Sequence, residues 1–307
     1  MTADFREALE AHRGDLLRHC YRMLGTFADA EDVVQDVLLN AWKARDSYAG
    51  DAPMGHWLMR IATNACLNAL ASRKRRSLPQ MIREPSSGLA AIESLELAEY
   101  IGPAPVARIG DASRVLEARE TVALAFLALL QRLSPKQRAV LLLKDVVGWS
   151  AEEIASALEL TVSSVHSALH RARETVKTPQ GTTTREPEPD VVRAYVHSWE
   201  THDVDGLVAM LRDDIVFAMP PHTTWFDSRA EFERFLRETP SPFAARWAGG
   251  FRVVVTRANG RPAFAFYHQG RRSSLQVVDF VGGKVAQIIA FIGEPYFRGF
   301  DVPETIP

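Results

Sequence analysis

Cysteine is scarce. The 307 residues hold two, Cys20 and Cys66, each among apolar residues of a helix-like segment and neither beside a second cysteine or a spaced histidine pair. That excludes a disulfide framework and leaves two small buried hydrophobes in a reducing compartment. His12, His19 and Cys20 form a short group with no matching half elsewhere, so neither zinc nor any other metal is expected. No apolar run approaches the roughly 18 residues needed to cross a bilayer, and the start MTADFREALEAHRGD opens on acids rather than on a basic secretion signal. A cytoplasmic location and no membrane partner follow. An excess of one charge is missing too: 36 Lys+Arg against 38 Asp+Glu give a formal net charge of −2, which taken globally argues against nucleic acid as a partner.

Distribution overrides that sum. Arg73, Lys74, Arg75 and Arg76 form a concentrated cationic patch, while Asp29, Glu31, Asp32 and Asp36 form an acidic one earlier in the chain. One surface can meet phosphate and another a basic protein. With 47% apolar residues the chain can fill two or three domain cores.

The first helical pattern runs from about Asp4 to Leu24 and stops at Gly25. A second follows Phe27, with Val33, Val34, Val37, Leu38, Ala41 and Trp42 at helical spacing. Asp46 to Pro53 reads as a loop. A third helix spans about Met54 to Arg76, its stripe formed by Trp57, Leu58, Ile61, Ala62, Ala65, Cys66, Ala69 and Leu70. Residues 1–76 thus read as a helical bundle. Pro79, Pro85, Gly102, Pro103 and Pro105 break the pattern over 77–112, which reads as a linker with one helix-like patch from Ala90 to Tyr100. Helices resume from Ser113 to Leu133 and again at Pro135, and Ser150 and Thr161 look like N-caps. Residues 113–177 form this second helical domain. Polar, proline-rich 178–189 marks a second boundary. Beyond it, 190–307 changes character: helices over Val191–Arg212 and Ser228–Thr239 precede two hairpins, one around Asn259-Gly260 and one around Gly282-Gly283. That part is α+β.

The segment Trp149 to Arg173 carries the strongest local signal. Ser150 and Glu153 form a capping box, Ile154, Ala155 and Leu158 the core of a short helix, Leu160-Thr161 a turn, and Val162, Val165 and Leu169 the packed side of a second helix. This is a helix-turn-helix, whose second helix offers Ser163, Ser164, His166, Ser167 and His170 to base edges, with Arg171 and Arg173 suited to phosphates.

DAEDVVQDV at 29–37, Ala41-Trp42 and WLMRIATN at 57–64 together resemble region 2 of extracytoplasmic-function sigma factors of the sigma-70 family. LSPKQR at 133–138 through Arg173 resembles their region 4. The resemblance implies a transcription initiation factor that binds core RNA polymerase and promoter DNA. Asp29, Asp32, Gln35 and Asp36 lie at spacings of three and four, hence on one face, which the resemblance implies docks on the clamp helices of the polymerase largest subunit. Arg60, Thr63, Asn64 and Asn68 share a polar face, and by position Tyr48 and Asn64 would help capture an unpaired base of the −10 element. Trp57 reads as core packing, and Arg73 to Arg76 as phosphate ligands. The helix-turn-helix would read the −35 element.

From about Val191 to Phe300 the chain resembles the SnoaL-like, nuclear-transport-factor-like family, through the helix–strand order, Trp199, DDIVFAMPP at 213–221 and Trp225. The implied fold is a cone of bent sheet around helices. A pocket for a small apolar ligand could be lined by Trp199, Met219, His222, Trp225, Phe235, Trp247 and Tyr267. Nothing pairs His222, Tyr267, His268 and Asp279 into a general base with an orienting partner, so no catalytic residue and no cofactor is expected. The expected architecture is two all-α domains followed by an α+β cone, and the expected role of the cone is regulation of the sigma domains in cis. A one-component regulator with a ligand-sensing cone, or a SnoaL-like isomerase or cyclase fused to a DNA-binding region, are the alternatives.

Overall fold

The computed structural model describes residues 2–48, 50, 52–71, 75–87, 96, 99–109, 123–176, 186–238 and 250–307. Arg73, Lys74, Trp247 and most of the helix-like patch that begins at Ala90 lie outside them. The chain divides into two compact units, Met1–Arg76 with Val106–Pro179, and Ser77–Pro105 with Gln180–Pro307. The first unit contains α1 (Thr2–Ala11), α2 (Arg13–Leu24), α3 (Phe27–Lys43) and α4 (Met54–Leu70). It continues with α5 (Val106–Ile109), α6 (Leu124–Arg132), α7 (Pro135–Leu141), α8 (Ala151–Leu158) and α9 (Val162–Thr175). The single helix expected over Asp4–Leu24 is two helices, because the chain turns tightly at His12, whose N–H bonds Leu9 O at 3.1 Å. On α3 the buried stripe is Val34, Val37, Leu38 and Ala41; on α4 it is Leu58, Met59, Ala62, Thr63 and Cys66. Thr63 therefore leaves the polar face assigned to it, and Trp57 lies outside the core.

In the second unit α10 (Pro189–Glu200), α11 (Val204–Met210) and α12 (Arg229–Glu238) accompany six strands. These are β1 (Leu211–Ala218), β2 (Trp225–Phe226), β3 (Phe251–Ala258), β4 (Arg261–His268), β5 (Arg271–Val281) and β6 (Lys284–Ile292), in sheet order β2-β1-β6-β5-β4-β3. The pattern expected over Val191–Arg212 is split: α10 ends at Glu200, Asp203 caps α11 by accepting Gly206 N–H at 2.8 Å, and β1 begins at Leu211. β1 and β6 pair in parallel and the other neighbours antiparallel. Both expected hairpins form. Asn259 (φ 53°) and Gly260 (φ 72°) supply the two positive φ angles of a type I′ turn. One face of the sheet carries the core, in which Tyr195, Trp199, Phe217, Phe232, Phe264 and Phe266 are buried. Trp199 meets Phe266 edge-on at 5.2 Å, and the Tyr195 hydroxyl donates to Gln276 Oε1 at 2.5 Å. Alternation along β4 puts Tyr267 on the opposite face, where its hydroxyl donates to Pro303 O at 2.6 Å.

The polar groups that organise the first unit meet at α2, whose residues Leu16, Leu17 and His19 through Leu24 are all buried. The last four carbonyls of a helix have no helical partner. Here Gly25 N–H takes Tyr21 O at 2.8 Å, Gln131 Nε2 reaches Arg22 O at 3.5 Å, Arg138 donates to Met23 O, and Arg76 donates to Leu24 O at 2.5 Å. Arg138 is 2% exposed and also donates to Gln131 Oε1 at 2.6 Å and Leu130 O at 2.9 Å. Burial, and then the charge of Arg75, pull its pKa down to about 10, so it stays charged at neutral pH and complements the negative end of the α2 dipole.

His19 is also enclosed. The Thr63 hydroxyl donates to Met59 O at 2.7 Å, so His19 Nε2 donates to Thr63 Oγ1 at 2.9 Å, which assigns the neutral Nε2–H tautomer. Burial, then the Arg22 charge, drive the His19 pKa from 6.5 to about 3. A base depressed in this way takes up its proton first in the unfolded chain. Its contribution is therefore intact above about pH 6.5 and is lost as pH falls below that value. Lowering pH from 7.5 to 5 should cost about 2 kcal/mol through this group alone. His19→Gln keeps a donor and removes the titration, so urea unfolding of the variant should lack that share of the pH dependence.

Candidate nucleic-acid interface

The helix-turn-helix is built from its caps. Ser150 Oγ accepts Glu153 N–H at 3.1 Å, and the Glu153 carboxylate accepts Ser150 N–H at 2.7 Å. Glu159, in the left-handed region at φ 53°, turns the chain out of α8, and Leu160 N–H closes on Ala155 O at 2.9 Å. Thr161 then caps α9 by accepting Ser164 N–H at 3.1 Å. Val165, Ala168, Leu169 and Ala172 are buried, which turns Ser163, Ser164, His166, Ser167, His170, Arg171 and Arg173 outward as one exposed set. Two of these are engaged within the chain: Ser164 Oγ lies 2.8 Å from Thr161 Oγ1, and Arg173 pairs with Asp145 at 2.5 Å.

Near the start of α4, Tyr48, Trp57 and Arg60 line a cavity of about 590 Å³, shared with Trp149, Glu152 and Glu153 of the helix-turn-helix segment. The Tyr48 and Trp57 rings are 5.0 Å apart, and the Tyr48 hydroxyl donates to Ala52 O at 2.6 Å. His56 packs on Trp149 at 5.0 Å, with its Nδ1 3.7 Å from Glu153. Such a cavity offers aromatic faces, one guanidinium and two carboxylates whose pKa values lie below the ordinary glutamate range. For Glu153 the leading cause is the Ser150 backbone N–H. Asn64 is exposed but lies outside this lining, whereas Trp57, read from the sequence as core, is half-buried within it. Its ring partner Tyr48 lies across the loop before α4, so no helical spacing marks it.

The charged patches divide. Arg75 is exposed, but Arg76 is 9% exposed and pairs with Asp29 at 2.5 Å. Asp29 also accepts the Thr26 hydroxyl at 2.8 Å. These two residues, assigned from sequence to phosphate and to polymerase, are held against each other beside the end of α2. Asp32, Gln35 and Asp36 remain exposed on α3, together with Leu39 at 50%, an apolar member of this face that charge spacing does not reveal.

In the cone, the residues expected to line a ligand pocket divide: Trp199, Met219 and Phe235 share one buried cluster, and Tyr267 does not. Trp199 and Met219 belong to the aromatic core, Tyr267 faces the opposite side of the sheet, and Trp225 Nε1 donates to Arg83 O at 2.9 Å. His222 is half-buried at the end of β1, its N–H bonded to Met219 O at 2.7 Å. Packing is a common use of aromatics in a small sheet domain, and Trp199 and Phe235 are buried in it here.

Residues 8–76 match Sigma-70 region 2, residues 123–176 match Sigma-70, region 4, and residues 192–288 match a SnoaL-like domain. Over 318 aligned residues the chain is 36% identical to the ECF RNA polymerase sigma factor SigG of Mycobacterium tuberculosis, covering 99% of this chain and 85% of that one. It is 31% identical over 148 residues to the ECF RNA polymerase sigma-E factor of Escherichia coli K12, covering 48% and 72%. The crystal structure of the M. tuberculosis extracytoplasmic function sigma factor SigJ shares the fold, with a TM-score of 0.58 at 18% identity over 99% of this chain and 100% of that one. Bundle, helix-turn-helix and appended cone are thus the parts of a sigma-70-type factor. The chain belongs to the extracytoplasmic-function RNA polymerase sigma factors and ends in a SnoaL-like domain. No described helix is long and apolar enough to cross a membrane.

Because the exposed row on α9 depends on the Thr161 cap, Thr161→Val should cost about 1 kcal/mol. In a unit of this size that lowers the thermal midpoint by roughly 2–4 °C, read by circular dichroism.

Proposed function

We propose that this chain docks on core RNA polymerase through the α3 face of Asp32, Gln35, Asp36 and Leu39, with the clamp helices of the largest subunit as the partner. The cavity at Tyr48, Trp57 and Arg60 takes an unpaired base of the −10 element, with Asn64 one turn further along. Stacking on an aromatic face suits any base, and a nearby cation suits the backbone. Arg75, with Arg73 and Lys74, meets phosphates. Ser163, His166, Ser167 and His170 read the −35 element in the major groove, and Arg171 and Arg173 hold the backbone. The observation that carries this reading is the exposed polar row of α9 joined, within one compact unit, to an aromatic cavity on α4. A regulator that reads duplex alone leaves that cavity without work.

The cone regulates these activities in cis. A covalent tether raises its effective concentration at the sigma domains to roughly millimolar. An enzymatic role for the cone is not favoured: Tyr267 is engaged by Pro303, and Asp279 pairs with Arg261 at 2.7 Å.

Added to core polymerase, the purified chain should give initiation at specific promoters; initiation that does not depend on the chain would overturn the reading. Arg75→Gln should lower the slope of log K for promoter DNA against log salt by about 1. Arg76→Gln should leave the slope unchanged and lower thermal stability instead. A truncation ending near Lys177 should change transcription over a range of concentrations; equal transcription by both forms would remove the cis-regulatory role.

A further inference from the structure

The cavity near the start of α4 draws its lining from two parts of the chain with different chemistry. From α4 and the loop before it come the rings of Tyr48 and Trp57 and the exposed guanidinium of Arg60, one helical turn beyond Trp57. From the helix-turn-helix segment come Trp149 and the first turn of α8, with Glu152 and Glu153. At about 590 Å³ the space falls within the roughly 300–1,000 Å³ of sites that hold small ligands. The Trp57 ring is held in place before any ligand arrives. Tyr48 packs against it at 5.0 Å and is itself fixed by its hydrogen bond to Ala52 O.

The two carboxylates are not equivalent. Glu153 is engaged with its own surroundings, accepting Ser150 N–H at 2.7 Å and lying 3.7 Å from His56 Nδ1. Glu152 is exposed and makes no ion pair among the described residues. Its own backbone N–H, then the Ser150 side chain, hold its carboxyl below the ordinary glutamate range. At neutral pH it is therefore an anion with lone pairs still open.

Anions beside a stacking ring set a chemical requirement on the ligand. A polynucleotide strand carries a phosphate at every step, and two carboxylates repel it. A single nucleotide carries phosphate at one end only, and at the other end Glu152 needs N–H donors. Guanine presents two adjacent donors on its Watson–Crick edge, N1–H and the N2 amino group, at the spacing of the two oxygens of a carboxylate. Adenine and cytosine each set an acceptor nitrogen beside the amino group, and uracil flanks its one donor with carbonyls.

We propose that this cavity binds a free guanine nucleotide: the base stacks on Trp57, Glu152 accepts from N1–H and the N2 amino group, and Arg60 takes the phosphate. The nucleotide occupies the ring face that the promoter reading gives to an unpaired base, so nucleotide and promoter strand compete for it.

Isothermal titration calorimetry of the full chain tests this, with the 5′-monophosphates of guanosine, adenosine, cytidine and uridine as probes. Guanosine monophosphate should bind at least about tenfold tighter than the other three, the discrimination expected of one bidentate base contact. Glu152→Gln sets an amide donor against the donors of guanine and should erase that preference. Because Glu152 lies outside the Ser150–Glu153 capping box, the variant should keep its thermal midpoint. Arg60→Gln should bring the monophosphate down to the affinity of guanosine itself while the base preference remains. Absence of binding, equal affinities for the four nucleotides, or a guanosine preference that survives Glu152→Gln overturns the proposal. A second arm rests on the promoter reading given above: guanosine monophosphate should weaken capture of a single-stranded −10 oligonucleotide. Nucleotide binding without that competition would instead remove the −10 assignment and leave the nucleotide site standing, so the two failures are distinct.

Discussion

The carboxy-terminal carbonyls of α2 are the constraint on which the first unit depends. Arg22 O, Met23 O and Leu24 O end a helix buried from His19 to Leu24, and an unpaired carbonyl there would cost about 1–3 kcal/mol. Their donors come from three separate places: Gln131 on α6, Arg138 on α7 and Arg76 beyond α4. Satisfying one helix end thus fixes the position of region 4 against region 2. It also withdraws Arg76 and its partner Asp29 from the surface roles that their sequence neighbourhoods suggest.

Local chemistry was legible in the sequence wherever a residue acts on near neighbours. The Ser150–Glu153 capping box, the Thr161 cap, the Asn259-Gly260 hairpin and the outward set on α9 all follow from spacings of two to four residues. The connector misled for a physical reason. Prolines and a glycine break helix and strand patterns, yet Pro103 and Pro105 carry no N–H, so a segment containing them leaves fewer donors to satisfy when buried. What holds it, the Asn259 amide, lies 155 positions away in the chain. Arg138 and Thr63 were illegible for the same reason, since their partners are distant and their residue types read as surface.

The aromatic side chains of the cone show the converse. Trp199, Met219 and Tyr267 are the residue types of a ligand pocket, and the sequence places them in one domain. Strand parity decides otherwise: Phe264 and Phe266 point into the core and Tyr267, one position on, points away. Trp225 is drawn to the connector rather than to a cavity. Composition can nominate a pocket, but only pairing register says which side chains share a face.

An interface built on a polar hub can open at modest cost. When a dry apolar contact separates, the exposed area must be solvated, at about 25 cal/mol per Å². When the hub at α2 separates, Arg138 and the carbonyls of Met23 and Arg22 regain hydrogen bonds to water, and the net loss is about 0.5–1.5 kcal/mol for each neutral bond and about 1.5–3 for each charged one. Moving a closed population from 1:99 to 99:1 open requires about 5.5 kcal/mol of differential binding. A nanomolar partner binds with about 12 kcal/mol in total. Closed packing built on hydrogen bonds to one helix end is therefore stable enough to persist in the free chain and weak enough for a tight partner to reverse.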